Sequence, residues 1–175
     1  MKRLFILLSI SVMLMISCNT QKNINQVVYN EKVSQKILLG KIDREGLTKK
    51  PFKEWFTKEY DNYTPEAKTI EYLKTRVAEN AEIIVVLATW CPDSRREVPR
   101  LYKILDEIEF DESKLTVIAV DRDFRANDED VAQYKIERVP TIMYKHYGYE
   151  AGRITETPKI SIESDLAGFT KAKGK

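Results

Sequence analysis

A run of apolar residues at positions 83–87 leads into Trp90, Cys91 and Pro92, and this junction constrains the fold more than any other stretch of the chain. The run is rich in β-branched side chains and bounded by polar residues, which is typical of a strand buried on both faces. Apolar residues then recur at helical spacing, at Val98, Leu101, Leu105 and Ile108. The sequence therefore predicts a buried strand that turns into an amphipathic helix at Cys91.

Cys91 is expected to lie where the strand ends and the helix begins. Pro92 takes the first helical position, where its missing N–H costs nothing. Unpaired N–H groups and the positive end of the helix dipole gather there, and they favour the thiolate, which is the nucleophilic form. Arg95 and Arg96 add to this effect, whereas Asp93 opposes it. We therefore predict an activated nucleophile; the alternative is a buried, inert cysteine.

The order of the predicted elements indicates an α/β protein. Polar and turn residues separate the apolar segments along the second half of the chain. The predicted segments are a strand at 82–89, a helix at 93–108, a strand at 115–120, a short helix at 128–135, strands at 142–144 and 150–155, and a helix at 161–170. The layout is β-α-β-α-β-β-α, in which the last two strands form a hairpin.

Residues 1–17 have the pattern of a bacterial lipoprotein signal peptide. Lys2 and Arg3 precede an apolar stretch that is too short for a comfortable transmembrane helix. Ser17 directly before Cys18 resembles the lipobox, which implies that Cys18 is lipidated and becomes the N-terminus. The expected location is the bacterial cell envelope, with the protein anchored to the membrane by this lipid and facing the periplasm. Ordinary cleavage that leaves Cys18 free is the alternative.

Two segments separate this signal from the α/β domain, which we assign to residues 81–175. Residues 18–26 are polar and unpatterned and are predicted to be a tether. Residues 27–80 are predicted to be a mainly helical N-terminal extension. Its aromatic residues are expected to dock a helix onto the core, and a ligand-binding surface is the alternative. These aromatic residues are Phe52, Trp55, Tyr60 and Tyr63.

Composition bears on several classes of function. The chain has 29 basic and 27 acidic residues, and removal of Lys2 and Arg3 with the signal peptide would leave 27 of each. A balanced charge gives no electrostatic reason to expect nucleic acid as a partner. The cysteines are Cys18 and Cys91 and the one histidine is His146. The sequence therefore predicts no metal site and no cofactor.

The junction at Cys91 and the segments after it resemble the thioredoxin family over residues 82–170. Trp90 and Cys91 match the first half of the family's Trp-Cys-x-x-Cys motif, and Pro99 matches a proline inside its active-site helix. The resemblance implies an α/β, thioredoxin-like fold with a central mixed sheet of about four strands flanked by helices.

A second match lies far along the chain at Val139 and Pro140, which correspond to the approach to the family's cis-proline. The resemblance implies that Pro140 is cis and faces Cys91, and that the backbone before it pairs with substrate. A trans proline that opens an edge strand is the alternative. The residues implied to contact substrate are Trp90, Pro92, Asp93, Val139 and Pro140.

Two positions depart from the family pattern. Ser94 stands where the family has its second, resolving cysteine, so no internal disulfide can release an adduct from Cys91. Ser94 is instead expected to donate a hydrogen bond to the Cys91 thiolate. Val85 is apolar where some members carry a buried acid that moves protons, which argues against that base-assisted step.

The function implied by the resemblance is that of a monothiol thiol–disulfide oxidoreductase, with Cys91 and Ser94 as its catalytic residues. Disulfide shuffling suits one cysteine better than net reduction, and an external thiol would resolve the adducts formed with client protein thiols or disulfides. A non-redox module that holds an extended client segment in the same groove, in a chaperone-like role, is the alternative. A single-cysteine thiol peroxidase is a third hypothesis.

Overall fold

The computed structural model describes residues 24–77, 80–127 and 129–171. The predicted signal peptide and Cys18 lie outside these residues. The elements are, in chain order, β1 Gln26–Asn30, β2 Gln35–Ile42, α1 Arg44–Leu47, α2 Lys53–Asn62, α3 Ala67–Arg76, β3 Ala81–Leu87, α4 Pro92–Glu107, β4 Leu115–Ala119, β5 Thr141–His146, β6 Tyr149–Thr155 and α5 Ile162–Phe169. Within the described part of the chain, no helix is both long and apolar enough to span a bilayer.

The strands form one mixed sheet in the order β1-β2-β4-β3-β5-β6. The pair β3–β4 is parallel and the other neighbours are antiparallel. The four strands predicted for the second half of the chain are confirmed as β3 to β6. The two additional strands, β1 and β2, come from the N-terminal extension, where sequence analysis predicted mainly helices. The extension supplies both these strands and the helices α1, α2 and α3.

The predicted boundary at residue 81 lies inside a continuous structure. Strand β2 pairs with β4 through Gly40 and Ala119, so the sheet crosses this boundary. Leu47, Ile70 and other side chains of the extension also belong to the main core. The division into domains stays a prediction, and the extension shares both its sheet and its core with the segment that follows it.

Alternate residues of the central strands point to opposite faces of the sheet, as strand geometry requires. In β3, Val85 lies in the main core, whereas Val86 lies in a second, smaller cluster on the other face. The main core is covered by the five α-helices, each of which contributes buried side chains. The smaller cluster contains Cys91 and is covered by the loop of residues 121–138.

This loop corrects one prediction, since sequence analysis placed a helix at 128–135. Within the described residues 129–135, the structure has only a short 3-10 turn, Ala132–Tyr134. The Asp130 carboxylate accepts a hydrogen bond from the Ala132 amide at 3.1 Å, and Lys135 ends the turn with a φ of 50°. Asp side chains that bind nearby amides compete with helical hydrogen bonds, and a positive φ ends a helix.

Candidate active site

Cys91 is the N-cap residue of α4, and Pro92 is the first residue of that helix, as predicted. The Cys91 amide donates to the Ala88 carbonyl at 2.9 Å, and the Cys91 carbonyl accepts from the Arg95 amide at 3.1 Å. These two bonds fix the turn between β3 and α4. The residue is 8% exposed, and it is the free cysteine among the described residues.

The Cys91 thiol faces the backbone ahead of Pro140. Its Sγ donates a hydrogen bond to the Val139 carbonyl oxygen at 3.2 Å, and the Val139–Pro140 bond is cis, which confirms the predicted geometry. The Pro140 carbonyl is held by the Glu156 amide at 2.8 Å. The Thr141 hydroxyl donates to the Arg138 carbonyl at 2.7 Å. The loop opposite the thiol is therefore fixed on both sides of Pro140.

Trp90 forms a half-buried wall beside the thiol. Its indole Nε1 donates to the Val120 carbonyl at 3.2 Å, and the Arg122 guanidinium lies 4.6 Å from the centre of a Trp90 ring. The other predicted substrate contacts, Pro92 and Asp93, lie at the start of α4, where Pro92 is exposed. The structure thus brings all five predicted contact residues to one end of the sheet.

Ser94 is fully buried, in the first turn of α4. Its hydroxyl oxygen accepts a hydrogen bond from the Ala88 amide at 3.1 Å. Sequence analysis expected the hydroxyl to donate a hydrogen bond to the Cys91 sulfur. Among the described residues, the hydroxyl instead bonds the Ala88 amide, and the Cys91 thiol bonds the Val139 carbonyl. Ser94 therefore helps to hold the turn that precedes Cys91.

Two of the three charged side chains predicted to act on Cys91, those of Asp93 and Arg96, form an ion pair with each other. Arg96 donates to Asp93 at 2.8 Å and to the buried Glu97 at 2.6 Å. The hydrogen bonds that Arg96 donates to these two carboxylates raise the pKa of Arg96, with the bond to Glu97 the larger cause. Arg96 and Asp93, which were predicted to act on the thiol in opposite directions, therefore pair with each other. What remains near Cys91 is the N-terminal end of α4 and the Arg95 guanidinium, which bonds the Thr89 carbonyl and the Gln35 side chain.

Residues of β2 support the active-site turn, and sequence analysis missed them. Thr89 Oγ1 accepts from the Leu38 amide at 3.1 Å. Arg95 donates from Nε to the Thr89 carbonyl at 2.6 Å and from a terminal nitrogen to the Gln35 side chain at 3.1 Å. The contacts of Thr89 with Leu38 and of Arg95 with Gln35 join residues more than fifty positions apart, and no local pattern in the sequence indicates them.

A polar cluster on the helical side joins the extension to α4. Arg44 donates two hydrogen bonds to the Asp106 carboxylate, at 2.8 and 2.5 Å, and the Tyr60 hydroxyl donates a third at 2.5 Å. Burial alone would raise the pKa of Asp106, but hydrogen bonds from Arg44 and Tyr60 lower it overall. Burial and the bond to Asp106 raise the pKa of Tyr60 to about 12.

Within residues 24–77, 80–127 and 129–171, no group of three or more His, Cys, Asp or Glu side chains is suited to hold a metal ion. The site at Cys91 consists of one thiol at a helix N-terminus, a backbone carbonyl opposite it, and an indole beside it. Such a site can exchange disulfides or hold an extended segment.

Comparison with known proteins identifies the family. The sequence model of a thioredoxin family matches residues 47–167, which is more than half of the chain and includes the site at Cys91. The chain therefore belongs to the thioredoxin family, and its α/β, thioredoxin-like fold is confirmed. Membership indicates thiol–disulfide oxidoreductase chemistry at the level of the family. Among curated proteins, no sequence matches the chain.

Several solved structures are similar to parts of this chain. An HIV epitope scaffold is 15% identical with a TM-score of 0.49, over 69% of this chain and 82% of the scaffold. A protein of unknown function from Pseudomonas aeruginosa is 18% identical with a TM-score of 0.42, over 67% of this chain and 70% of its own. Thioredoxin of Fasciola hepatica is 22% identical with a TM-score of 0.38, over 59% of this chain and 91% of its own.

Proposed function

We propose that this protein is a thiol–disulfide oxidoreductase that works with one cysteine and shuffles disulfides in client proteins. The observation that carries the proposal is the position of Cys91 at the start of α4. Its Sγ lies 3.2 Å from the Val139 carbonyl oxygen. The thiolate is the form of cysteine that attacks a disulfide, and the N-terminal end of α4 lies at this sulfur. A client chain that lies next to Val139 would bring its own sulfur within reach of the Cys91 Sγ.

In the proposed cycle, the Cys91 thiolate attacks one sulfur of a client disulfide. A bond forms between Sγ and that sulfur while the client S–S bond breaks, and the second client sulfur leaves as a thiolate that takes up a proton. A client thiolate, or the thiolate of an external thiol, then attacks the mixed disulfide and regenerates Cys91. Shuffling within one client consumes no net oxidant or reductant.

Ser94 explains why an outside thiol is part of this proposal. A hydroxyl cannot form a disulfide, and Ser94 occupies the position three residues after Cys91 where the resolving cysteine of the family stands. Its side chain is buried and bound to the Ala88 amide. We therefore assign Ser94 a positioning role in the turn and assign release of the adduct to a separate thiol.

Substitution of Ser94 tests this assignment. Positions 91 and 94 lie one helical turn apart, so Ser94→Cys should form an internal disulfide with Cys91 and gain dithiol-dependent turnover in an insulin reduction assay. The parent should accumulate mixed disulfides on Cys91, seen by mass spectrometry of the peptide that contains it, and a small thiol should release them. The matched control is Cys91→Ser with Ser94→Cys, which keeps one thiol and should show no turnover.

Two results would contradict the proposal. Two free thiols in Ser94→Cys after mild oxidation would mean that the geometry does not permit resolution. Absence of any Cys91 adduct in the parent, with a disulfide peptide in excess, would remove the exchange mechanism. A non-redox module that binds clients would then replace it, and the 8% exposure of Cys91 favours that second candidate. Client binding that survives Cys91→Ser would identify it.

We also propose that the protein is anchored by lipid on Cys18 and faces the periplasm. The support is the sequence alone, since Ser17 and Cys18 follow a short apolar segment with a basic end. Mass spectrometry of the mature N-terminus should find a diacylated Cys18, and Cys18→Ala should abolish membrane association. A mature protein that begins after Cys18 without lipid would contradict the anchor.

A further inference from the structure

A concave basic surface lies beside the active-site turn, and we call it the basic groove. It consists of two cavities of about 300 and 640 Å³ that share Pro51. The first cavity is lined by Gln35, Lys36, Phe52, Trp55 and Arg95. The second is lined by Lys50, Lys53, Glu54, Thr57 and Lys58. The N-terminal extension supplies every one of these residues except Arg95.

The basic groove carries an excess of positive charge. Lys36, Lys50, Lys53 and Lys58 are exposed, and none of the four has an ion-pair partner among the residues that the structure describes. Glu54 is the one acidic residue of the lining. Because uncompensated charges of one sign in a concave surface reinforce one another, the groove should attract an anionic partner.

Arg95 connects the basic groove to the thiol. Its backbone amide bonds the Cys91 carbonyl, and its guanidinium bonds the Thr89 carbonyl and the Gln35 side chain. Both guanidinium partners are neutral, so the Arg95 charge is not cancelled by a carboxylate. A ligand in the first cavity would therefore contact Arg95, which is bonded directly to the active-site turn.

The shape of the basic groove indicates what kind of anion it takes. The two cavities meet at Pro51, so together they fit a length of chain better than a single small anion. Trp55, which is half-buried, adds aromatic surface to the first cavity, which suits the side chains of a polypeptide. A flat lipid surface would contact the protruding lysines but would not reach Arg95 and Trp55, which are half-buried.

We propose that the basic groove binds an acidic, extended segment of the client protein and so presents a neighbouring disulfide to Cys91. This inference rests on the proposed function, because it defines the class of client for the same site. It assigns the N-terminal extension a role in client choice. Lys36 and Arg95 mark the end of the groove nearest the thiol, and Lys58 belongs to the second cavity.

The test uses the full-length chain in neutral detergent and two short synthetic peptides, each with a cysteine in a mixed disulfide. One peptide has Glu at alternate positions and the other has Gln. The acidic peptide should form the Cys91 adduct at least about tenfold faster than the neutral one, and the preference should vanish between about 0.1 M and 1 M salt, where the screening length falls from about 10 to 3 Å.

Variants locate the effect. Lys36→Gln with Lys53→Gln should remove most of the preference for the acidic peptide, while the paired control Lys68→Gln with Lys159→Gln, at exposed lysines outside the groove, should keep it. All variants should react equally with dithiodipyridine, a small neutral disulfide. If both pairs of variants lose the preference for the acidic peptide equally, the proposal is overturned, because the preference would then depend on the net charge of the protein and not on the groove.

Failure of this inference is distinguishable from failure of the proposed function. Reaction of Cys91 with dithiodipyridine but no preference for the acidic peptide overturns the groove and leaves the exchange chemistry standing. If Cys91 does not react, the groove is tested in Cys91→Ser, where the acidic peptide should protect Lys36 and Lys53 from acetylation. Protection by phosphatidylglycerol vesicles, but not by the peptide, would overturn the proposal in favour of a lipid surface.

Discussion

The two faces of the sheet are covered in different ways. One face carries the helices α1 to α5 and the main core, in which side chains such as Leu101 are fully buried. The other face carries the smaller cluster with Cys91, and a loop with one 3-10 turn covers it. Both faces are built from the same strands, so the difference lies in what packs against them.

This difference separates stability from reactivity. A face covered by packed helices buries more apolar surface, so it should supply most of the folding free energy. A face covered by a loop has fewer regular hydrogen bonds and can open locally at lower cost. Cys91 belongs to the second face and begins a helix of the first. The thiol can therefore be reached by local opening while the main core stays packed.

The largest expected effect is on the helical face. Leu101 is fully buried in α4, so Leu101→Ala should lower the free energy of unfolding by about 2–5 kcal/mol. The matched control Leu101→Met, which roughly keeps the volume, should cost less than about 1.5 kcal/mol. Denaturant unfolding measures both. A cost for Leu101→Ala below about 1 kcal/mol would mean that this face is not the main source of stability.

A sharper comparison uses two neighbours in β3 that point to opposite faces. Val85 and Val86 are 1% and 0% exposed. Val85→Ala should cost about 2 kcal/mol and leave the alkylation rate of Cys91 unchanged. Val86→Ala should cost about 1 kcal/mol, because the loop can shift into the cavity, and should speed alkylation by iodoacetamide. Equal costs and equal alkylation rates in the two variants would contradict the comparison.

The polar cluster of Arg44, Tyr60 and Asp106 gives the helical face a dependence on pH. The folded-state pKa of Asp106 is lowered, so its contribution is present above the unfolded value of 3.8 and is lost as pH falls through the folded value. Asp106→Asn should cost about 1 kcal/mol at pH 7, a figure reduced because the carboxylate is partly exposed. The difference in unfolding free energy from the parent should shrink below about pH 4.

The opposite shift occurs at Tyr60. Its folded-state pKa is raised from 10.0 to about 12, so its contribution is present below pH 10 and is lost as pH rises toward 12. Tyr60→Phe should therefore remove part of the alkaline pH dependence. Because the Tyr60 hydroxyl also helps to lower the pKa of Asp106, the variant should lose a part of the acidic dependence as well. If the difference in unfolding free energy between Asp106→Asn and the parent stays constant down to pH 2, the charge of Asp106 is not what stabilises this cluster.

Strong local periodicity is what made parts of the fold predictable. The helix predicted at 93–108 is observed as Pro92–Glu107, and the strand at 115–120 as Leu115–Ala119. Both segments combine a clear apolar pattern with a definite start signal. Val139 and Pro140 were placed opposite Cys91 by family resemblance, since nothing in the local pattern reports a contact between residues 48 positions apart.

The features that sequence analysis missed depend on distant contacts. Strand β1 shows no fully buried residue and is paired with β2 alone, so its apolar pattern is weak. The loop over the Cys91 cluster has helical apolar spacing, but its Asp side chains bind backbone amides instead. The hydroxyl of Ser94 was expected at the thiol, and its position is decided by the Ala88 amide, which local sequence does not reveal.

The smallest expected effect is at the edge of the loop-covered face, where Arg122 stacks on Trp90. An exposed cation–π contact contributes about 0.5–1 kcal/mol, so Arg122→Gln should change the unfolding free energy by no more than that. The indole should become more accessible to acrylamide, because the guanidinium shields one face of its ring. The control is Arg125→Gln, an exposed arginine of the same loop that pairs with Asp121 and Asp123.

Trp55 contributes fluorescence in both variants. The difference in acrylamide quenching between Arg122→Gln and Arg125→Gln therefore reports the exposure of Trp90. Because the Trp90 Nε1 still bonds the Val120 carbonyl, the indole should stay in place and Cys91 should form adducts at a rate within a fewfold of the parent. A loss of stability above about 2 kcal/mol would instead place Arg122 among the structural supports of the loop-covered face. Unchanged quenching would mean that the stacking does not persist in solution.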